Sequence, residues 1–488
     1  MDTDARGRPF VEVRSPVEGL TRRQLPFIPV FAQSVAGVAP SAAAAVVPAL
    51  VISTAGGGGP IVAFVCASVV ILMVAGCLRP MARRMAAVGG IYTYTARALG
   101  PGVAVPTGWS ALLGYGTVGM AAVLAVGTYL SHILTAAGLT RSTPIALIIG
   151  ITVITSLVAG MVMMRGIRLS AWVTLLIECV SIVIVALLCL MLAIKSSTAP
   201  VDPALNWDGD FQSTAVGVVV AVSAFVGFES STTLSGEALQ PFRSVPRTLR
   251  WTPLATAVLY LLAVSVQATV LHNAPASVGS SSTPLVQLLV ADGAPALAAL
   301  LDVGIAASFF ACTLASINAL VRVLFCMGRE GVAPRALGRT HSIYKTPAVA
   351  ILAAMPIVAL APIILLAAGA TPEQGLRIFL TLSACGYLGS YLAASISAPV
   401  LLRRIGESSP GIWILGAATT TILLFLAGIA AISALSGSSP LVLIYAGFLL
   451  TSVLYVLVLR RWAPHRLQAV GIYDETQPSD LFDTSPFR

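Results

Sequence analysis

The sequence predicts an all-α membrane protein with twelve transmembrane helices. Three observations carry that prediction. Of 488 residues, 57% are hydrophobic and only 10% are charged, against about 25% charged in an ordinary soluble domain. Lipid is the solvent that suits such a surface. The apolar residues gather into twelve continuous runs, each close to the ~20 residues a helix needs to cross the hydrocarbon core. The basic residues then fall almost wholly into alternate connections. Strands of a membrane barrel would alternate with period two, and these runs do not. Disordered, collagen-like and coiled-coil chains need polar, Gly-periodic or heptad-charged sequence and are excluded.

In order, a polar N-terminal segment covers 1–25, and the first run covers 26–53. Runs at 60–80, 104–136, 143–163, 169–194 and 213–238 follow, then 251–272, 295–327, 347–369, 375–402, 411–434 and 440–460. Pro and Gly inside several of them are tolerated because neighbouring helices re-satisfy the freed backbone groups. The transmembrane unit is thus expected over 26–462, with a short disordered tail at 463–488. Of the 28 basic residues, all but Arg141, Lys195 and Arg377 sit at the termini or follow an even-numbered span. By the positive-inside rule both termini are expected in the cytoplasm, and the chain in the plasma (inner) membrane. The net charge of +9 is explained by topology, so no nucleic-acid partner is expected.

The seven cysteines are odd in number, form no C-x-x-C and lie within apolar runs. They are expected to pack as small buried hydrophobes. His132, His272, His341 and His465 show no metal-ligand spacing, so no metal and no cofactor are expected. The membrane spans offer no nucleophile–base pairing and no nucleotide motif. An enzyme and an ATP-driven pump are therefore set aside.

Scarce charges inside the runs are the informative ones. An ionisable group at mid-bilayer costs roughly 2.5–3.5 kcal/mol on the insertion scale. Glu178 in span five and Glu229 in span six lie near the middle of their runs, while Glu237 and Asp302 lie near span ends and can reach an interface. Span six reads Ser223-Ala224-Phe225-Val226-Gly227-Phe228-Glu229-Ser230-Ser231-Thr232-Thr233. An acid and four consecutive hydroxyl residues after a glycine suit a broken helix that lines a polar site. Span one offers a counterpart in Ser34-Val35-Ala36-Gly37-Val38-Ala39-Pro40-Ser41, where Pro40 interrupts the hydrogen-bond ladder. Interrupted helices at matching places in two halves point to a transporter's substrate site. Helix N-termini there can hold a carboxylate, and freed carbonyls can hold an ammonium.

Three segments now read together. Gly227-Phe228-Glu229-Ser230, then Gly236-Glu237 and Pro241, Arg243, Pro246 and Arg247, resemble the sixth-span signature of amino-acid permeases. Gly89-Gly90-Ile91-Tyr92-Thr93-Tyr94, then Ala98-Leu99-Gly100 and Gly108-Trp109, resemble that family's inner-loop helix leading into span three. Asn318, Arg322, Met327 to Pro334 and Lys345-Thr346-Pro347 resemble the inner end of its span eight. The chain is identified by this resemblance as a member of the amino acid–polyamine–organocation superfamily. The resemblance implies a LeuT-type five-plus-five inverted repeat, about 26–194 and 213–402, with two extra helices at about 411–460. It implies alternating access around the broken spans and a small-molecule substrate that is an amino acid or related amine. By position, Ala36, Gly37, Val38, Ala39, Pro40 and Ser41 would take the substrate carboxylate. Phe225, Val226 and Gly227 would take its amino group. Glu229 matches an acid tied to gating and proton sensing, and Asn318 and Arg322 match positions near the inner gate. Tyr115 of span three either walls the site or packs as a core aromatic.

Two departures matter. Span one lacks the G-S-G or G-x-G of many members, and span five lacks the lysine that some use as a protonatable stand-in for sodium. Glu178 is the residue expected to carry a coupling proton instead, since a carboxyl group in an apolar setting can exchange one. The competing expectation is a sodium site using span-one carbonyls with Thr313 and Ser316, whose hydroxyls otherwise pack between helices. Symport, exchange and a sensor that binds without moving its ligand all remain open. With Glu229 nearby and no basic side chain, a neutral or cationic substrate is expected. The protein is expected as a monomer or weak homo-oligomer in the lipid bilayer.

Overall fold

The structure is a computed structural model that describes residues 20, 23–55, 59–136, 138, 144–196, 210–272, 284–291, 293–436 and 440–471. Most of the N-terminal segment, Arg141 and residues 472–488 lie outside the described residues, as does the side chain of Lys195.

Twelve helical segments are long and apolar enough to cross a membrane, as the sequence predicts. They are Phe27–Ala55, Gly59–Ala82, Pro101–Thr135, Ile145–Met164, Ile167–Leu192, Phe211–Leu234, Pro241–Leu271, Pro295–Arg329, Ala348–Ala367, Pro372–Arg404, Pro410–Ser433 and Leu441–Trp462, here spans one to twelve. Proline opens several of them, where its missing N–H costs nothing and its fixed φ suits a helix start. Thr371 caps span ten through a reciprocal box with Gln374, and Asp210 caps span six by accepting from the Gln212 and Ser213 N–H groups at 3.0 and 3.3 Å. Short helices also lie outside the spans among the described residues. Ile91–Leu99 precedes span three, where the family resemblance places an inner-loop helix. Pro284–Ala291 precedes span eight and was not foreseen.

Span three is the core post. It packs along spans eight and ten, and its residues Tyr115, Ala122 and Ala125 are buried. Its backbone meets that of span ten closely. A methyl group added at Gly386 would stand 2.5 Å from the Gly114 nitrogen and 2.7 Å from the Ser110 carbonyl oxygen. The Ser110 hydroxyl donates across this contact to the Gly386 carbonyl at 2.7 Å, and the Ser383 hydroxyl donates to the Gly114 carbonyl at 2.9 Å. Small residues and hydroxyls thus supply the packing and hydrogen bonds that hold helices together where burial of apolar area cannot. Span twelve is the least buried of the twelve and leaves Leu450, Leu454, Leu457 and Val458 exposed on the rim.

Three expectations need correction. Two thiols, Cys66 and Cys179, are exposed on the outer surface of the bundle rather than buried; both occupy lipid-facing helical positions, where a small apolar thiol costs little. The tail expected to be disordered from 463 begins with a short helix, Pro464–Gln468. Its end is tied down, because the Gly471 N–H donates to Glu330 Oε1 at 2.8 Å. Neither Glu237 nor Asp302 is solvated at its span end: both are buried, Glu237 against Arg322 and Asp302 with an Oδ1 that has no hydrogen-bond partner among the described residues. Outside the spans, the Arg84 guanidinium donates to Glu407 with Nε 2.7 Å from Oε2, which holds that carboxyl below the usual range.

Gly386→Ala should lower the thermal stability of the purified protein in detergent. The backbones of spans three and ten must part to admit the methyl group, and such overpacking costs about 1–3 kcal/mol. Unchanged melting would mean the two helices are less closely packed than this.

Candidate functional site

Span one breaks at a single residue. The helix Phe27–Val38 ends on Ala39, which adopts a left-handed conformation with φ 50°. For a residue with a Cβ that costs roughly 1–2 kcal/mol. Pro40 then opens the helix Pro40–Ala55. Span six breaks over more residues. The helix Phe211–Ser223 gives way to a turn through Ala224–Gly227, and Phe228–Leu234 continues as a tighter 3-10 helix. Gly227 has φ +95°, which a glycine adopts freely.

The two breaks face each other at backbone distance. A methyl group on Gly37 would stand 2.7 Å from the Gly227 carbonyl oxygen, and one on Gly227 would strike the Gly37 carbonyl. Side chains stitch the breaks together. The Ser230 hydroxyl donates to the Gln33 carbonyl at 3.1 Å, the Ser34 hydroxyl to the Phe228 carbonyl, and the Gln33 amide to the Ala315 carbonyl of span eight at 2.7 Å. Tyr260 of span seven donates to the freed Ala224 carbonyl at 2.8 Å. Ala36, Ala311 and Ala315 pack together with Ile177, so spans one, five and eight meet beside the break. The span-one and span-six residues singled out in the sequence, Ala36 to Ser41 and Phe225 to Gly227, are all buried here.

Each deep carboxylate has a different environment. Glu229 is fully buried and uses both oxygens: Tyr115 donates to Oε1 at 2.8 Å and Tyr391 to Oε2 at 2.5 Å. The Gly227 N–H reaches the Tyr391 hydroxyl at 3.3 Å, which links this acid to the break. Tyr115 therefore braces Glu229, with its ring edge-on to Tyr387 at 5.3 Å. Tyr387 is buried with its hydroxyl unpartnered. Tyr387 and Tyr391 were missed in the sequence, although their spacing of four places both phenols on one helix face.

Glu178 sits against the other half of the site. Its Oε1 accepts from the Ser41 N–H at 3.2 Å, the Ser41 hydroxyl at 2.7 Å and the Ser308 hydroxyl at 3.0 Å. Its Oε2 is buried and has no hydrogen-bond partner among the described residues. Tyr260 and Cys312 lie within electrostatic reach of it. The carboxylate thus stands at the N-terminal end of the helix Pro40–Ala55, where free N–H groups and the helix dipole favour an anion. Ser308 was not singled out in the sequence. No local pattern marks it, since its role arises only where spans one, five and eight meet.

Asn318 and Arg322 stand apart from the breaks, towards the basic end of span eight. Arg322 is buried and donates to Glu237 Oε1 through Nε at 3.0 Å and Nη2 at 2.8 Å. Its Nη1 donates to the Asn318 carbonyl at 3.0 Å, and the Asn318 amide reaches the Ser170 hydroxyl at 2.9 Å. Glu237 is thus one half of a buried ion pair. The backbone beside it is also engaged: the Gln24 and Leu25 N–H groups donate to the Glu237 carbonyl at 2.9 and 3.0 Å. This ties together spans one, six and eight at that end. Thr313 and Ser316 each donate to a carbonyl one turn back on their own helix, those of Phe309 and Cys312.

A family described as "Amino acid permease" matches residues 30–467. The branched-chain amino acid permease BcaP of Bacillus subtilis is 26% identical over 59% of this chain and 64% of its own length, so the chain spans just under two thirds of that relative. An uncharacterized transporter of Mycobacterium tuberculosis is 28% identical over 73% of this chain and 76% of its own length. The low-affinity putrescine importer PlaP of Escherichia coli is 25% identical over 59% and 64%.

Arg322→Ala should destabilise the protein by about 3–5 kcal/mol, because it leaves the Glu237 charge buried and unpaired. Replacing both partners by apolar residues of similar volume should recover much of that loss. Melting of the single and double variants in detergent measures the difference; equal losses would mean the ion pair is not the cause.

Proposed function

We propose that this chain, which belongs to the amino acid permease family of the amino acid–polyamine–organocation superfamily, is a secondary transporter that moves an amino acid or related amine by alternating access. Relatives named for branched-chain amino acids and for putrescine support that range of substrates. The observation that carries the reading is the meeting of two broken helices, Gly37 against Gly227, inside a twelve-span bundle. Helices broken inside a transmembrane bundle need a reason, and binding a polar solute between two halves that move is the reason which fits. The Arg322–Glu237 pair and the Leu25 backbone then close the basic end of the site, and they must separate for substrate to leave that way.

We further assign the coupling proton to Glu178 rather than Glu229. Both oxygens of Glu229 are held by phenols, whereas among the described residues Glu178 has three donors on Oε1 and none on Oε2. A proton placed on Oε2 disturbs none of those three bonds. It removes the negative charge facing the helix N-terminus and so weakens the tie between spans one, five and eight. Facing groups on the packed elements are Ser41, Tyr260, Ser308 and Cys312, none of them cationic.

Proteoliposomes loaded with the purified protein and offered a labelled panel of amino acids and amines test the transport reading. Uptake should respond to an imposed pH gradient, and Glu178→Gln should remove that response. Uptake that follows a sodium gradient alone, or a pH response unchanged in the variant, would reject the assignment to Glu178. Binding without uptake under every gradient would make the protein a sensor.

A further inference from the structure

The placement of Glu178 bears on which substrates fit. In the helix Pro40–Ala55 the first residue has no N–H. The Ser41 N–H is directed at Glu178 Oε1, the Ala42 N–H at the Ser308 hydroxyl at 3.3 Å, and the Ala43 N–H at the Ala39 carbonyl at 2.9 Å. Every early donor of this N-terminus is therefore engaged from within the chain. A helix N-terminus is a natural seat for an anion, and here a side-chain carboxylate already sits in it.

The same carboxylate is only half satisfied. Buried polar atoms nearly always have partners, and one that lacks them in a native protein calls for an explanation. Oε2 of Glu178 is such an atom, on a residue that is 2% exposed. Tyr260 and Cys312, within electrostatic reach of the carboxylate, are a hydroxyl already donating elsewhere and a thiol. Neither neutralises a charge. A cation would.

A second buried carboxylate lies on span eight. Asp302 lies six residues before Ser308 on span eight, hence about 9 Å along the helix. It is 4% exposed, and its Oδ1 also has no partner among the described residues. Asp302 is at the end of span eight opposite the Arg322–Glu237 pair.

We propose that Glu178 takes the place that a substrate carboxylate would otherwise occupy, and that the transported molecule is an amine without a carboxylate, its ammonium received by Glu178 Oε2. An α-amino acid would bring its own carboxylate to a helix end whose donors are spent and whose charge is already negative. It is discriminated against by repulsion and by lost hydrogen bonds. The inference rests on the transport reading above, and it narrows that reading to one substrate class. Proton and ammonium then compete for one oxygen, which makes exchange of one for the other the natural cycle.

Matched pairs that differ only by the carboxylate test the idea: putrescine against ornithine, and isoamylamine against leucine. Ligand-induced thermal shift of the full chain and competition in proteoliposome uptake give the affinities. The wild-type protein should favour the amine of a pair by at least about tenfold. Glu178→Ala should weaken the amine by a similar factor and strengthen the amino acid, because the helix end is vacated for its carboxylate. If the alanine variant does not fold, Glu178→Gln serves. It keeps an acceptor for Ser41 and Ser308 but turns an N–H towards the ammonium, and it too should lose the amine preference. A wild-type preference for the amino acid, or an equal loss of both ligands in the variants, would overturn the proposal and leave the transport reading standing. No binding and no uptake of either member of any pair would overturn both.

Discussion

An interrupted helix survives at bilayer depth only if protein groups satisfy the backbone it frees, because no water is there to do so. This constraint organises the centre of the molecule. Gly37 and Gly227 bring the two breaks to backbone contact. Tyr260, Ser230 and Ser34 then cover carbonyls at or beside the breaks, and Glu178 and Ser308 cover the N–H groups of the next helix. Spans five, seven and eight are positioned by the need to deliver those side chains. The rigid post of spans three and ten stands behind them and supplies the phenols that hold Glu229.

The two deep acids show how environment divides roles between chemically identical groups. Glu229 is locked by a donor on each oxygen, so it rigidifies the span-six break and links it to spans three and ten. Glu178 has one oxygen fixed and one open. A group held in that way keeps its position while leaving one oxygen open. The Arg322–Glu237 pair is of a third kind: two buried charges that satisfy each other and join spans six and eight. Such a pair contributes little net stability when formed but is costly to break singly.

Twelve spans were legible because a bilayer imposes a length and a composition that few other constraints mimic. Both breaks were legible too, since Pro40 and the run from Gly227 to Thr233 conflict with a continuous lipid-facing helix. The partners of the breaks were not. Tyr387 and Tyr391 read as core aromatics within an apolar run, Ser308 as one hydroxyl among many, and Tyr260 had no mark at all. Pro284–Ala291 has no mark in the sequence because eight residues with a glutamine among them fall short of the length of a span. Asp302 was misjudged because distance along the chain from a span end says nothing of what neighbouring helices cover.

The sequence by itself determined the solvent, the number of crossings, the places where helices fail and the two acids worth asking about. All of these depend on local composition and periodicity, which the chain displays directly. Only the tertiary structure decided that Glu178 seats itself at the start of the second half of span one while Glu229 is bound by two phenols. Those arrangements join residues more than a hundred positions apart, such as Ser41 with Glu178 and Tyr391 with Glu229. Packing, not local pattern, chooses which oxygen is satisfied and which is left open.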